Sequence, residues 1–451
     1  MQHRPHGRSR AISWRPTYGA GPIRGLFQDL GGGGLGSLFV VAGTGVYRNG
    51  VSIGAIPGTD LVRWAASSQQ VVAVAGGYAY VWDGVTYPTF TQIAWTALPQ
   101  VNDVAFLADR FVFVALGSNT WWYSEIFDAT NVTGLDFASN ENSPAPSIGV
   151  MVVDGQLAFF GGDNLEFWSP SADATAPFQP NSTGQYFRRG ILARDTLAFC
   201  DNALFWVGEN GVVYRTAGGV PERISSSSIE DKIRQCANPQ AMSAFDVTFE
   251  GHEFYVLNVN GIGSYAYDIS RIGSVTGAYG SSYGRGEWNE WSSYNWPQFR
   301  CRVAASFHVS GQSAPVTYVG DDSTGDVWGM QVGVWQDAAG PLIRKASAFV
   351  KIEEGRPRMD ALVLHAVVGV GAAVDPGSLP VAEMRYSDDL GRTFSKWRAA
   401  SLGAMGDYDA RAYWTRLGQM RAPGRLIEVR CSDPVDVAFS HLELNPVRPA
   451  Q

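Results

Sequence analysis

Basic charge, cysteine and histidine are all scarce in this chain, and each shortage closes off a class of function. Only 34 of 451 residues are Lys or Arg, against 42 Asp or Glu, for a net charge of −8. The broad basic face with which a general nucleic-acid binder displaces counterions from phosphate is therefore not to be expected. The same balance leaves room for a protein past which DNA slides without sticking. The four cysteines, Cys200, Cys236, Cys301 and Cys431, lie far apart with no CxxC pair. That spacing indicates neither a zinc knuckle nor a dense disulfide framework, and buried thiols are expected. The six histidines, His3, His6, His252, His308, His365 and His441, show no HxH or HExxH spacing, so no metal site is expected.

Long apolar runs are missing too. The best candidate, ALVLHAVVGVGAAV at 361–374, is shorter than the roughly twenty residues of a membrane span and contains His365. The start, MQHRPHGRSRAISWRP, has basic residues with no apolar segment behind them and does not read as a secretory signal. Its Arg4, Arg8 and Arg10 read as a solvated tail or as an arm reaching an acidic partner. A protein made in a cytosol is expected, so the sequons Asn131-Val132-Thr133 and Asn181-Ser182-Thr183 read as turns. No cofactor site is expected: GGGGLG at 31–36 lacks the Lys-Ser/Thr of a phosphate-binding loop and no helix pattern follows it. No catalytic residue is nominated.

What the chain has in abundance is Gly, with 52, and aromatics, at 12%. With 45% hydrophobic and only 17% charged residues, this composition suits short strands and tight turns. The expected class is all-β. From about residue 27 to 330 one pattern recurs: an apolar strand, a polar corner, a second apolar strand, a Gly or Asn turn, then an aromatic strand. DVAFLAD-RFVFVAL-GSN-TWWYSE at 103–125 is one copy and IGVMVVD-GQLAFFGGD-NLEFWSP at 148–170 another. Thr44, Gly76, Gly117, Gly162, Glu209, Asn260 and Asp322 mark the turn centres, at spacings that grow from 32 to 62. Repeats of this length in antiparallel strands predict a β-propeller of six or seven blades, since one blade cannot bury both faces alone. A pair of β-sandwiches is the competing architecture.

Residues 1–26 are assigned to an N-terminal tail or arm, 27–343 to the propeller with insertions, and 344–451, where the repeat stops, to a β-sandwich-like domain. GAYGSSYGRGEWNEWSSYNWP at 277–297 reads either as a contact loop or as a strand pair with its aromatics folded inward. One helix is expected, at 225–235, with Ser227 and Glu230 as a capping box and Lys232 and Arg234 near its C-terminal end.

The segment YSDDLGRTFSKW contains Ser387, Asp389, Gly391, Thr393 and Phe394, which fit the pattern Ser-x-Asp-x-Gly-x-Thr-aromatic. This resembles the Asp-box turn of sialidase propellers, in which the Asp accepts backbone hydrogen bonds and the Gly takes a positive φ. Sialidase chemistry needs an arginine cluster, a Tyr–Glu nucleophile pair and an acid–base Asp in addition. Here the box stands once, outside the repeats, and reads as a structural turn. A carbohydrate-binding or glycosidase-like propeller is the alternative, with the aromatics of 277–297 as stacking platforms.

Four further stretches, in order, carry a wider resemblance: AGPIRGLFQ with LFVVAGTGVYRNG; IGVMVVDGQLAFFGGDNLEFWSPSADATAPFQ; GVVYRTAGGVPERISSSSIEDKIRQ; and the run from Arg385 to Pro434. Over about residues 20 to 446 the chain resembles the packaged-DNA stabilisation proteins of short-tailed bacteriophages, also called tail hub or nozzle proteins. Its front, MQHRPHGRSRAISWRPTYGAGP, is shorter than the family's usual lead into the first blade. The resemblance implies a non-enzymatic virion tail protein, made in the host bacterial cytoplasm, that forms a homo-oligomeric, hexameric ring. Such a ring sits below the portal and its head-to-tail adaptor, is plugged by a tail needle, and is a candidate anchor for tailspikes or fibres. It holds packaged DNA, then conducts it through the lumen during ejection without sequence-specific binding.

Overall fold

In a computed structural model the structure describes residues 11–445, apart from 14–16, 30–36, 97, 99, 141, 174, 182–185, 250, 272–273, 276–281, 284–286, 308–315, 332 and 339. Two compact units emerge: Trp14–Gly329, and Met1–Ser13 with Met330–Gln451. The basic residues Arg4, Arg8 and Arg10, the segment GGGGLG and His308 lie outside the described residues.

The larger unit is a β-propeller with, among the described residues, seven antiparallel sheets in chain order. The first blade comprises Ile23–Asp29, Ser37–Ala42, Gly45–Arg48 and Val51–Ala55. In every blade the turn between the second and third strands carries one of the seven turn centres read from the sequence, from Thr44 between Ser37–Ala42 and Gly45–Arg48 to Asp322 after Val316–Asp321. The first strands of the seventh, first, second, third and fourth blades, and those of the fifth, sixth and seventh, lie side by side around the centre.

The reason the second strands are continuously apolar is that both of their faces are buried, and alternate residues face opposite neighbours. Phe39 and Val41 pack toward the second blade, while Leu38 and Val40 pack toward the seventh. Val112 and Val114 meet the fourth blade, and Phe111 and Phe113 meet the second. Leu204 and Trp206 face the fourth blade, and Phe205 and Val207 the sixth. The cluster of Ile23, Leu26, Leu38, Val40, Tyr318 and Val327 joins the seventh blade to the first, so the ring is closed. A backbone clasp reinforces that join: the Tyr18 N–H donates to the Gly325 carbonyl at 2.7 Å, and the Thr17 hydroxyl donates to Asp326 at 2.5 Å.

Two expectations need correction. Residues 1–26 are not all arm, because Ile23–Asp29 is the first propeller strand, with Ile23 and Arg24 almost wholly buried. The helix runs Ser227–Arg234, with Ser226 rather than Ser227 as its N-cap, its side chain accepting from the Ile229 N–H. Glu230 does not reach back to the cap. It takes Arg223 at 2.8 and 2.7 Å and the Ser225 hydroxyl at 2.7 Å, which ties the helix to the strand Glu222–Arg223. Ile229 and Ile233 then anchor its apolar side between the fifth and sixth blades.

Within 277–297, Glu287–Trp291 is the outer strand of the sixth blade, paired with Gly263–Asp268. Trp288 packs on Tyr267, as the strand-pair reading expects, whereas Tyr294 and Trp296 are exposed. Residues 277–281 and 284–286 of it lie outside the described residues.

In the smaller unit, Arg344–Lys351, Gly424–Cys431, Val381–Ser387 and Arg398–Ser401 form one sheet, and Ala412–Thr415, Ala361–Ala366 and Phe439–Leu444 the other. The alternating burial of Arg344–Lys351 is that of a sheet with one solvated face. Leu362, Leu364, Met384, Trp414, Ile427 and Val429 fill the core between the sheets. All four cysteines are buried thiols.

Candidate functional site

The first strands of the propeller carry charges where an all-apolar blade would have none. Arg63, on the first strand of the second blade, pairs with Asp195 at 2.8 Å, at the entry to the fifth. Two blades lie between them on one side and three on the other, so this pair spans the centre. Beside it Arg194 grips Asp103 of the third blade through Nε and, at 2.8 Å, through Nη2. Asp103 also accepts the Val150 N–H at 2.8 Å. Burial alone would lower the Arg194 guanidinium, but Asp103 and Asp195 outweigh it and hold it above its ordinary value.

Gly149 makes the approach possible. A Cβ there would stand 2.5 Å from the Arg194 Cδ and 3.1 Å from the Asp103 carboxylate. The centre of the propeller is thus bridged by side chains and cannot serve as a bore for a DNA duplex.

Arg24 is the second buried cation. Its guanidinium donates to the carbonyls of Asp60 at 2.8 Å, Gly43 at 2.9 Å, Ile56 at 2.8 Å and Pro57 at 3.3 Å, with the Asp60 carboxylate at 3.6 Å. It is 1% exposed, and burial sets its pKa below the ordinary value. Its role is to tie the turns of the first blade to the entry of the second.

A titratable group with no cation beside it completes the set. Asp246, on the first strand of the sixth blade, is pushed up to about 6, chiefly by burial, with Glu253 adding a like charge. The same environment raises the Cys200 thiol well above its usual value, which makes it unreactive.

In the sandwich, the Asp-box residues come together. Asp389 accepts from the Thr393 N–H at 2.8 Å, the Thr393 hydroxyl at 2.5 Å and the Ser387 hydroxyl at 2.7 Å, while the Ser387 oxygen accepts from the Gly391 N–H at 2.9 Å. Gly391 has φ +89°. The Thr393 hydroxyl and N–H hold the Asp389 carboxyl far below the usual carboxylate range. These hydrogen bonds of Ser387 and Asp389 all close within the turn.

Phe394 is covered by the guanidinium of Arg385 at 4.0 Å, which also stands 4.5 Å from Trp397, and Arg430 stacks on the same Trp397 at 4.1 Å. Arg385 and Arg430 are held from the other side by Glu428 at 2.6 Å and Glu383 at 2.7 Å. The neighbouring Asp388 clamps the buried Arg425 at 2.6 and 2.9 Å. This lattice of arginines and aromatics braces a turn.

Among the described residues no group of three or more His, Cys, Asp or Glu could hold a metal ion, and no helix is long and apolar enough to cross a membrane. Sequence reasoning missed Arg24, Arg63, Asp103 and Arg194. The one available signal was a lone charge inside an otherwise apolar strand, as in IRGLF and NDVAF.

Comparison with known proteins gives two matches along the chain. Residues 32–278 match the family described as "Bacteriophage P22 Gp10, beta-propeller", and residues 343–446 match "Bacteriophage P22 Gp10, beta-sandwich". No curated protein matches the chain. Among solved structures, BBS1N in complex with ARL6DN shares 11% identity at a TM-score of 0.43, covering 72% of this chain and 97% of its own. The extracellular domain of a putative one component system from B. thetaiotaomicron shares 10% at 0.42, over 89% of this chain and 48% of its own. The major allergen Mala s 1 of Malassezia sympodialis shares 10% at 0.35, over 60% and 92%. With a family match over more than half its length and the corresponding domain at each position, the chain belongs to the bacteriophage P22 Gp10 family of structural tail proteins.

Proposed function

We propose that this chain is the subunit of a phage tail hub or nozzle: a hexameric ring below the portal and its adaptor that retains packaged DNA and then conducts it during ejection. The observation that carries the reading is the family match across both domains, in order and at the expected positions. The bridged propeller centre supports a DNA path between subunits rather than through a propeller. The protein acts through contact rather than catalysis. Its partners are further copies of itself, the adaptor above, a needle or plug below, and tailspikes or fibres as peripheral attachments. It is made in the host bacterial cytoplasm and finishes in the virion tail.

The charge balance supports the passage of DNA. Lys and Arg lining a lumen would exchange counterions with phosphate and grip the duplex, whereas six subunits of net charge −8 offer little purchase. Electron microscopy of the purified protein with portal–adaptor complexes tests the reading. A six-fold ring seated on the adaptor is expected; a protein that stays monomeric and turns over a glycan overturns it. Replacing lumen-facing carboxylates by Lys in that ring should slow ejection.

A further inference from the structure

One end of the sandwich exposes large apolar side chains on loops too tightly knit to fold them away. Residues 367–380, 402–410 and 432–438 meet there. The Gly369 N–H donates to the Leu402 carbonyl and the Gly406 N–H to the Gly369 carbonyl, both at 3.0 Å, while the Val367 N–H donates to Ala438 at 3.0 Å. The packing is close enough that a Cβ on Gly371 would stand 2.7 Å from the Met405 nitrogen, and one on Gly369 would stand 2.8 Å from the Tyr408 ring. Behind the loops lie Leu402, Val435 and Val437, all buried in the core. On this fixed base Val374 is 74% exposed, Leu379 70%, Met405 63% and Tyr408 76%.

An isolated exposed Leu needs no explanation, but four large apolar side chains on adjoining, hydrogen-bonded loops mark an interaction surface. The charges around them choose the occupant. The three loops carry Asp375, Asp407, Asp409, Asp433 and Asp436 and not one Lys or Arg. The same surface of a second copy would bring a like set of aspartates against these. A segment with apolar side chains at its centre and Lys or Arg at its rim is both attracted and desolvated.

We infer that the apolar loop end of the sandwich, built from Val374, Leu379, Met405 and Tyr408 on loops whose formal charges are all aspartates, docks a basic, apolar-bearing segment of a different tail polypeptide. Tyr408 and Leu379 are the anchors, and Asp407 and Asp409 supply the charge selection. The inference rests on the reading of the chain as a tail subunit, and the test separates the two.

The test places a photo-crosslinking amino acid at Leu379 in the full chain and irradiates purified tails, with the crosslinked peptide identified by mass spectrometry. The expected result is an adduct on another polypeptide, within a segment rich in Lys or Arg. The double variant Asp407→Lys/Asp409→Lys should reduce that adduct at least tenfold, and Tyr408→Ser should do the same if the double variant does not fold. Tails that contain the chain but give no adduct overturn the inference alone, as does an adduct on another copy of this chain or on an acidic segment. Purified tails that lack the wild-type chain altogether overturn the tail reading itself.

Discussion

Two sets of arginines, Arg24, Arg63 and Arg194 in the propeller and Arg385 and Arg430 in the sandwich, work in opposite ways. In the propeller, arginine replaces apolar packing at points where strands diverge: Arg24 gathers four carbonyls, and Arg63 and Arg194 reach across the centre to Asp195 and Asp103. In the sandwich, two half-buried arginines stand over aromatic faces, Arg385 over Phe394 and Trp397, and Arg430 over Trp397. The contrast teaches that burial, not the number of contacts, decides how much each cation matters. Removing a buried cation strands its acceptors away from water, whereas removing a surface one returns its partners to solvent.

The strongest way to break the comparison is Arg24→Met. Four carbonyls lose a common donor, so a loss of about 3–5 kcal/mol is expected by urea unfolding. An effect below that of Trp397→Ala would reverse the ranking. Arg425→Ala is the sandwich's own test of the rule. This arginine is buried, holds Asp388 and donates to the Leu417 and Gln419 carbonyls, so it should cost about 3 kcal/mol although it also stacks on Tyr386.

Asp246 sharpens the contrast from the acid side, since among the described residues no cation pairs with it. Its folded pKa of about 6 exceeds the unfolded value, so the ionised form is penalised above pH 6, and this group's contribution to stability improves as pH falls from 7 toward 4. Asp246→Asn should therefore melt about 2–4 °C higher than wild type at pH 7.5. At pH 4 the two should coincide in calorimetry.

Ser226→Ala should cost about 1 kcal/mol through the lost cap, and Ser227→Ala distinctly less. Their order in denaturant midpoints checks which serine holds the helix. Trp397→Ala, at the surface, should cost about 0.5–1 kcal/mol for each guanidinium it leaves bare.

Much of the fold is legible in the sequence, and for a specific reason. A propeller blade repeats its turn chemistry, so Gly76, Gly117 and Asn260 announce themselves by position, and Phe111–Ala115 reads as apolar on both faces because a neighbour covers each. The Asp-box turn is legible because all of its hydrogen bonds fall within seven residues. The central bridges are not. Arg63 and Asp195 are 132 positions apart, and only the closure of the ring brings them together. The cap was misplaced by one residue because four consecutive serines, Ser225 to Ser228, give the same local signal, and the choice was made by Glu230 turning to Arg223.

The clasp of Thr17 and Tyr18 onto Gly325 and Asp326 brings the two extremities of the propeller stretch into one blade. Tension applied along the polypeptide is therefore borne first by a single seam, not shared among seven. Mechanical failure should begin with the seventh blade parting from the first, and single-molecule pulling on the two extremities would register it as the earliest event.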